Sequence, residues 1–229
     1  MGKTKITCFL SLCLLLLLWP VLSAGADMPK KIDGGTYILY LPSGLDISKK
    51  YPLVVMLSPS ADAESVLSPW IKAAQEYKWI ILGSRQHRNG MEFKQIGNII
   101  SNTIRTVTAS YPVDRKKVIA AGFSGGGMSS HYLAMAYPQM ISAVIINTGM
   151  ISENYSGGKN YSYPGNKLAV FLASPSDFRY QEMKRDSRFL KGLGWDTKWI
   201  EFEGGHSIAP QETYLEAAKW LDNKLNETK

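Results

Sequence analysis

The sequence predicts an α/β fold, a sandwich with a mostly parallel sheet of about seven strands and helices on both faces. Two observations predict it. Short apolar runs alternate along the chain with longer amphipathic ones, the strand-then-helix order of a doubly wound sheet. Several short runs, Leu53-Val54-Val55-Met56-Leu57 and Leu168-Ala169-Val170-Phe171-Leu172 among them, are apolar at every position rather than every second one, as strands covered on both faces must be.

In chain order, residues 36–41 (Thr-Tyr-Ile-Leu-Tyr-Leu) combine β-branched and aromatic side chains and form the first strand, and residues 53–57 the second. The longer mixed stretch 63–77 is helical, and the apolar run 79–83 returns to strand. A second helix occupies 92–110. Residues 117–122 form the next strand. The helix 126–137 follows, with its larger apolar residues three and four apart until Pro138 ends it. Residues 143–147 and 168–173 are strands, 180–190 a helix, 198–202 the last strand and 211–225 the last helix. No internal repeat, low-complexity tract or long linker divides this series, so one domain accounts for it.

The chain of 229 residues is 45% hydrophobic and 20% charged, a globular profile that excludes disordered and collagen-like classes. Its net charge of +7 is spread along the chain without a dense Lys/Arg block or a basic stripe interleaved with aromatics, which argues against a nucleic-acid partner. The N-terminal segment is a separate object. Lys3 and Lys5 precede the apolar run 6–22, and Ala24-Gly25-Ala26 supplies the small-x-small pattern of a signal-peptidase site. Residues 1–26 are therefore expected to be a cleaved signal peptide. An uncleaved anchor is the alternative, because the run is only slightly shorter than the roughly 20 residues that span a bilayer.

Removing 26 of 229 residues leaves 203, and the loss of the two lysines lowers the charge from +7 to +5. Both cysteines, Cys8 and Cys13, lie in the leader, so the mature domain 27–229 has no thiol and must be held together by its core. Secretion or export to a periplasm is expected, with no membrane association after cleavage. The sequons at Asn154, Asn160 and Asn226 matter only in a eukaryotic secretory pathway.

Chemistry concentrates at the end of the strand 117–122. Gly122-Phe123-Ser124-Gly125-Gly126-Gly127 contains G-x-S-x-G at a strand-to-helix turn, the pattern that lifts a serine hydroxyl above the sheet edge. The same glycines could cradle a phosphate, but the Lys-Ser/Thr ending of a P-loop and the spacing of a dinucleotide site are both absent. A serine hydroxyl needs a base, and the base an orienting group. Of the three histidines, His206 follows the last strand, so it belongs to the edge that carries Ser124. His87 is the alternative base, and His131 lies within the helix that Ser124 opens. Asp177, just past the strand 168–173, is the candidate acid. Asp186 falls within a helix and Asp196 at the opposite end of the final strand. Capping the next helix is the other role open to Asp177.

The order Ser124, Asp177, His206 is that of α/β-hydrolases. With Tyr111-Pro112-Val113-Asp114-Arg115, Ala136-Tyr137-Pro138 and Gly204-Gly205-His206, the chain from about Tyr51 to Trp220 resembles a secreted serine esterase of the polyhydroxybutyrate depolymerase-like and feruloyl or acetylxylan esterase-like group. The resemblance implies a single-domain α/β-hydrolase sandwich that cleaves carboxylic esters through an acyl-enzyme, without a cofactor or metal. Its partner would be a small-molecule or polymer-attached ester. Oligomeric state is not legible in the sequence.

One feature departs from that group, whose members usually carry His-Gly after the strand equivalent to 53–57. Here Ser58-Pro59-Ser60 stands instead. Pro59 has no N–H, so the oxyanion donors are expected to be the N–H groups of Gly125 and Ser60. The departure also motivates a reading as a catalytically silent binding protein. A peptidase or thioesterase on the same triad is a further alternative. Residues 148–166 are too short for a lid domain, which leaves the site open to bulky esters. Within them Tyr155, Tyr161 and Tyr163 either stack on a substrate or pack the loop, while Phe123 and Phe178 are expected to pack. Histidine ordinarily titrates near 6.5, so activity is expected to fall as acid protonates the base.

Overall fold

The computed structural model describes residues 28–152 and 162–227. The expected signal peptide 1–26, the sequons at Asn154 and Asn160, and Tyr155 and Tyr161 lie outside the described residues.

The strands are β1 (Lys30–Asp33), β2 (Tyr37–Leu41), β3 (Tyr51–Leu57), β4 (Ile80–Ser84), β5 (Val113–Phe123), β6 (Ala143–Asn147), β7 (Leu168–Ala173) and β8 (Asp196–Glu201). They form one sheet in the order β1-β2-β4-β3-β5-β6-β7-β8. β1 and β2 are antiparallel, as are β2 and β4, and every other pair is parallel. The sheet thus has one strand more than expected. β1 reads Lys-Lys-Ile-Asp, is mostly exposed and sits at the edge, where charges discourage pairing with another chain. Its polar sequence carries no strand period.

The helices are α1 (Ala63–Leu67), α2 (Ile71–Tyr77), α3 (Phe93–Ser110), α4 (Gly125–Ala136), α5 (Tyr180–Gly192) and α6 (Gln211–Glu227). The expected helix over 63–77 is two helices joined by a 3-10 turn at Ser68–Trp70, since Pro69 has no N–H to continue the α pattern. Asp62 caps α1 by accepting the N–H of Ser65 at 3.1 Å.

Alternation along the strands splits the core into two layers. Val54, Met56, Ile119, Ala121, Ile145, Val170 and Leu172 face α1, α2 and α6, where they meet Trp70, Tyr214 and Leu221. Leu53, Val55, Leu57, Val118, Ala120, Val144, Ile146 and Phe171 face α3, α4 and α5, where they meet Ile100, Ile104, Leu133 and Leu190. Every strand residue in both sets is fully buried, which explains why these strands read as continuous apolar runs.

The parallel register aligns the functional edge. Leu57 pairs with Gly122, Phe123 with Asn147, and Asn147 with Leu172. The carboxyl ends of β3, β5, β6 and β7 therefore lie side by side, and the loops leaving them share one crevice. Among the described residues no helix or strand is inserted between β6 and β7.

Candidate active site

Ser124 stands between β5 and α4 with φ 54° and ψ −120°, a conformation that costs a non-glycine residue about 1–3 kcal/mol. Hydrogen bonds hold it there. Its N–H donates to the carbonyl of Asn147 at 2.9 Å, and its own carbonyl accepts the N–H of Gly127 at 2.9 Å. So sharp a turn also needs a helix without side chains at its start. A Cβ on Gly122 would lie 2.2 Å from the carbonyl carbon of Gly126, and one on Gly126 would lie 2.0 Å from the carbonyl oxygen of Leu57. Those glycines let α4 approach the sheet closely enough to present Ser124 at its edge.

His206 comes from the loop after β8, and its Nε2 lies 2.9 Å from Ser124 Oγ. Its Nδ1 lies 2.7 Å from Asp177 Oδ2. An ionised carboxylate only accepts, so the imidazole proton sits on Nδ1 and Nε2 offers its lone pair to the serine hydroxyl. The Asp177 side chain is fully buried, whereas that of His206 is 28% exposed toward the crevice. Asp177 Oδ1 accepts the N–H of Arg179 at 2.6 Å, so both carboxylate oxygens are bonded. That bond lies before α5, whose N-cap is Arg179 and has no side-chain cap bond, so Asp177 faces His206 and does not cap the helix.

Two further residues, which the sequence reading does not single out, hold the His206 loop. Asn147, 1% exposed, accepts from the N–H of Ala209 at 2.8 Å and from the Tyr214 hydroxyl at 2.7 Å, and donates to the carbonyl of Ser207 at 3.1 Å. Ser174 Oγ accepts the N–H of Gly205 at 2.9 Å. The loop is thus tied to the ends of β6 and β7. A buried Asn at a strand terminus was the available signal, but an Asn cap or turn residue looks the same in sequence.

The other histidines are structural. His87, 1% exposed, bridges the carbonyl of Ser58 at 2.6 Å and the hydroxyl of Ser129 at 2.8 Å, and burial lowers its pKa against the opposing pull of that carbonyl. It is engaged on both nitrogens and is not the base. His131 is fully buried, its pKa pushed down to about 3 by burial, and its Nδ1 accepts the N–H of Ser152 at 3.1 Å. Asp186 accepts the N–H of Ile151 at 2.9 Å, and burial raises its pKa to about 6.

Phe123 and Phe178 flank the His206 ring at centroid distances of 5.3 and 4.7 Å. Phe123 packs against the core as expected, but Phe178 is 74% exposed and forms an apolar platform beside His206. Tyr163 contacts the Phe189 ring edge-on at 5.6 Å and is a packing residue. A cleft of about 280 Å³ opens beside Ser124 and Gly125, with Met91, Phe93 and Met128 in its wall and Arg179 on its border. The N–H of Ser60 points to Ser58 Oγ at 3.3 Å, a long bond. Among the described residues no group of three or more His, Cys, Asp or Glu side chains converges to hold a metal, and no helix is long and apolar enough to cross a membrane.

A strand-to-helix serine at the carboxyl edge of a mostly parallel sheet, bonded to a histidine and through it to a buried aspartate, defines the α/β-hydrolase class. Within that class, the phospholipase/carboxylesterase family profile matches residues 73–219, and the chain belongs to that family. It is an esterase-type α/β-hydrolase. Among curated proteins it is 29% identical to a probable feruloyl esterase C of Aspergillus terreus, over 83% of this chain and 82% of that one. It is 22% identical to a probable acetylxylan esterase A of Neosartorya fischeri, covering 60% of this chain but only 45% of the relative. A carboxylesterase from Bacillus cereus shares the fold with a TM-score of 0.64 at 16% identity, over 86% of this chain and 95% of the other.

Proposed function

We propose that the protein hydrolyses carboxylic esters through an acyl-enzyme formed on Ser124. The observation that carries this reading is the unbroken relay from Ser124 Oγ to His206 at 2.9 Å and on to Asp177 at 2.7 Å. As Ser124 Oγ bonds to the ester carbonyl carbon, His206 Nε2 takes its proton. Asp177 holds the ring and stabilises the imidazolium. The N–H of Gly125 donates to the oxyanion, while that of Ser60, the other donor expected from the sequence, is directed to Ser58 Oγ at 3.3 Å. When the tetrahedral adduct collapses, His206 returns the proton to the departing alkoxide and the alcohol leaves. Water, deprotonated by the same nitrogen, then cleaves the acyl-enzyme to give the carboxylic acid and free Ser124.

The cleft of about 280 Å³ suits a small or flat acyl group, and the exposed Phe178 offers a stacking surface beside His206. These features, with the printed names of the relatives, favour esters of aromatic or short acyl groups, free or attached to a polymer. Export through the leader 1–26 belongs to the same reading. N-terminal sequencing of protein recovered outside the cell is expected to begin at Asp27.

Fluorophosphonate labelling of the purified protein beside Ser124→Ala tests the chemistry. Labelling of the wild type alone, together with turnover of a short-chain aryl ester, is the expected result. Folded wild-type protein that neither labels nor turns over would support the silent binding protein instead.

A further inference from the structure

An oxyanion site needs donors converging on one point, and the loop after β3 supplies few. Pro59 has no N–H, and the N–H of Ser60 is directed to Ser58 Oγ at 3.3 Å. The loop after β4 lies against this one. Asn89 donates its N–H to the carbonyl of Pro59 at 2.9 Å, and Ser60 and Arg88 form an antiparallel bridge. Two residues earlier, His87 ties the Ser58 carbonyl to Ser129 of α4. The backbone at Asn89 is therefore fixed relative to both the β3 loop and the helix that begins at Gly125.

The Asn89 carboxamide rests on Gly125. A Cβ at Gly125 would lie 2.0 Å from Asn89 Oδ1 and 3.2 Å from Nδ2, so any side chain at position 125 would occupy the place of this amide. Asn89, Gly125 and Ser124 border the same cleft. Among the described residues the Asn89 amide makes no hydrogen bond, which leaves its donors available. A half-turn about Cβ–Cγ exchanges its two ends without moving the backbone.

From this geometry we infer that Asn89 is a catalytic residue, whose Nδ2–H donates to the oxyanion beside the N–H of Gly125 and takes the place of the donor that Pro59 lacks. The inference rests on the ester-hydrolase reading. Donors of this kind are made fully only in the tetrahedral state, so their loss lowers kcat with little change in KM.

Wild type, Asn89→Ala, Asn89→Asp and Ser124→Ala are compared on a short-chain aryl ester, with an aryl boronic acid as the probe of the tetrahedral adduct. Asn89→Ala is expected to lower kcat by about 100- to 1,000-fold and boronate affinity by a similar factor, with KM within about threefold. Asn89→Asp keeps the shape but sets a negative charge against the oxyanion, so its kcat is expected to fall at least as far. Should the alanine variant fail to fold, the aspartate variant carries the test by itself. Either folded variant retaining kcat within about fivefold of wild type overturns the inference, as does a loss confined to KM, which would mark Asn89 as a wall of the acyl pocket. A wild type that neither labels nor turns over overturns the ester reading itself, and that outcome is distinct because it does not depend on Asn89.

Discussion

Replacing Asp177 by Asn isolates the orienting role of the acid, and the structure dictates how the new side chain must sit. Asp177 accepts one N–H, from Arg179 at 2.6 Å, and faces His206 Nδ1 at 2.7 Å with its other oxygen, in a site where its side chain has no exposure. The asparagine oxygen must stay on the Arg179 side, because an amide NH₂ there would oppose a backbone donor. The NH₂ group then points at His206 Nδ1, which can only accept. The imidazole proton moves to Nε2 and is directed at Ser124 Oγ, so the serine loses its base although no atom has moved appreciably. The same exchange in a Ser-His-Asp protease lowers kcat by about 10⁴, equivalent to roughly 5.5 kcal/mol of barrier. Single-turnover and steady-state hydrolysis of a short-chain aryl ester at pH 8 would read the effect, with a thermal melt to show that the fold is retained. A folded Asp177→Asn enzyme within tenfold of wild-type kcat, beside an inactive Ser124→Ala, would refute the relay.

Stability should depend on pH in two opposed ways. His131 is held near 3 in the fold against about 6.5 when unfolded, so its contribution is present above pH 6.5 and is lost on acidification toward pH 3, by up to several kcal/mol. Asp186, raised from 3.8 to about 6, contributes most below pH 4, and that contribution is lost as pH rises toward 6, by about 1–2 kcal/mol after solvent screening. Urea titrations between pH 4 and 7 should show a steeper acid loss in Asp186→Asn and a shallower one in His131→Asn. Gly126→Ala would set a methyl group 2.0 Å from the Leu57 carbonyl oxygen, a backbone atom that cannot yield. It should lower stability by about 3 kcal/mol and, by moving α4 off the sheet, reduce fluorophosphonate labelling. Phe178→Ala, at a site 74% exposed, should leave stability within about 0.5 kcal/mol of wild type and raise KM for aryl esters relative to acetyl esters. An equal change for both ester types would remove its role as a platform.

Much of the fold is legible because the buried parallel strands are continuous apolar runs. Burial on both faces leaves little freedom in their composition. The edge behaves differently. β1 pairs only with β2 and faces solvent, so its charges obscure any strand period. The expected strand 117–122 begins earlier, at Val113, because Asp114, Arg115 and Lys116 can stay solvated while their backbone extends. The helix α4 buries Gly126, Gly127, Ser129, Ser130 and Ala134 beside Leu133, so small residues mark the face that lies closest to the sheet. An apolar period does not detect such a face. Aromatic side chains usually pack, which is the expectation for Phe178, yet the backbone turn at Asp177 leaves it in solvent beside His206.

The sequence alone determined the order of the inner strands and most helices, the serine turn and the candidate triad, because burial, helical period and glycine at a tight turn are local requirements written residue by residue. Tertiary structure decided where three histidines, several aspartates, Asn147 at the end of β6 and Asn89 in the loop after β4 sit relative to one another. Ser124 and His206 are 82 residues apart in sequence and 2.9 Å apart in space, a distance set by strand register and by the bonds of Asn147 and Ser174 to the His206 loop. His87 and His131 are chemically identical to His206 and differ only in what surrounds them. The contact of Asn89 with Gly125 is likewise settled only when two loops from different strands meet, since no local period or propensity encodes the approach of side chains from distant segments.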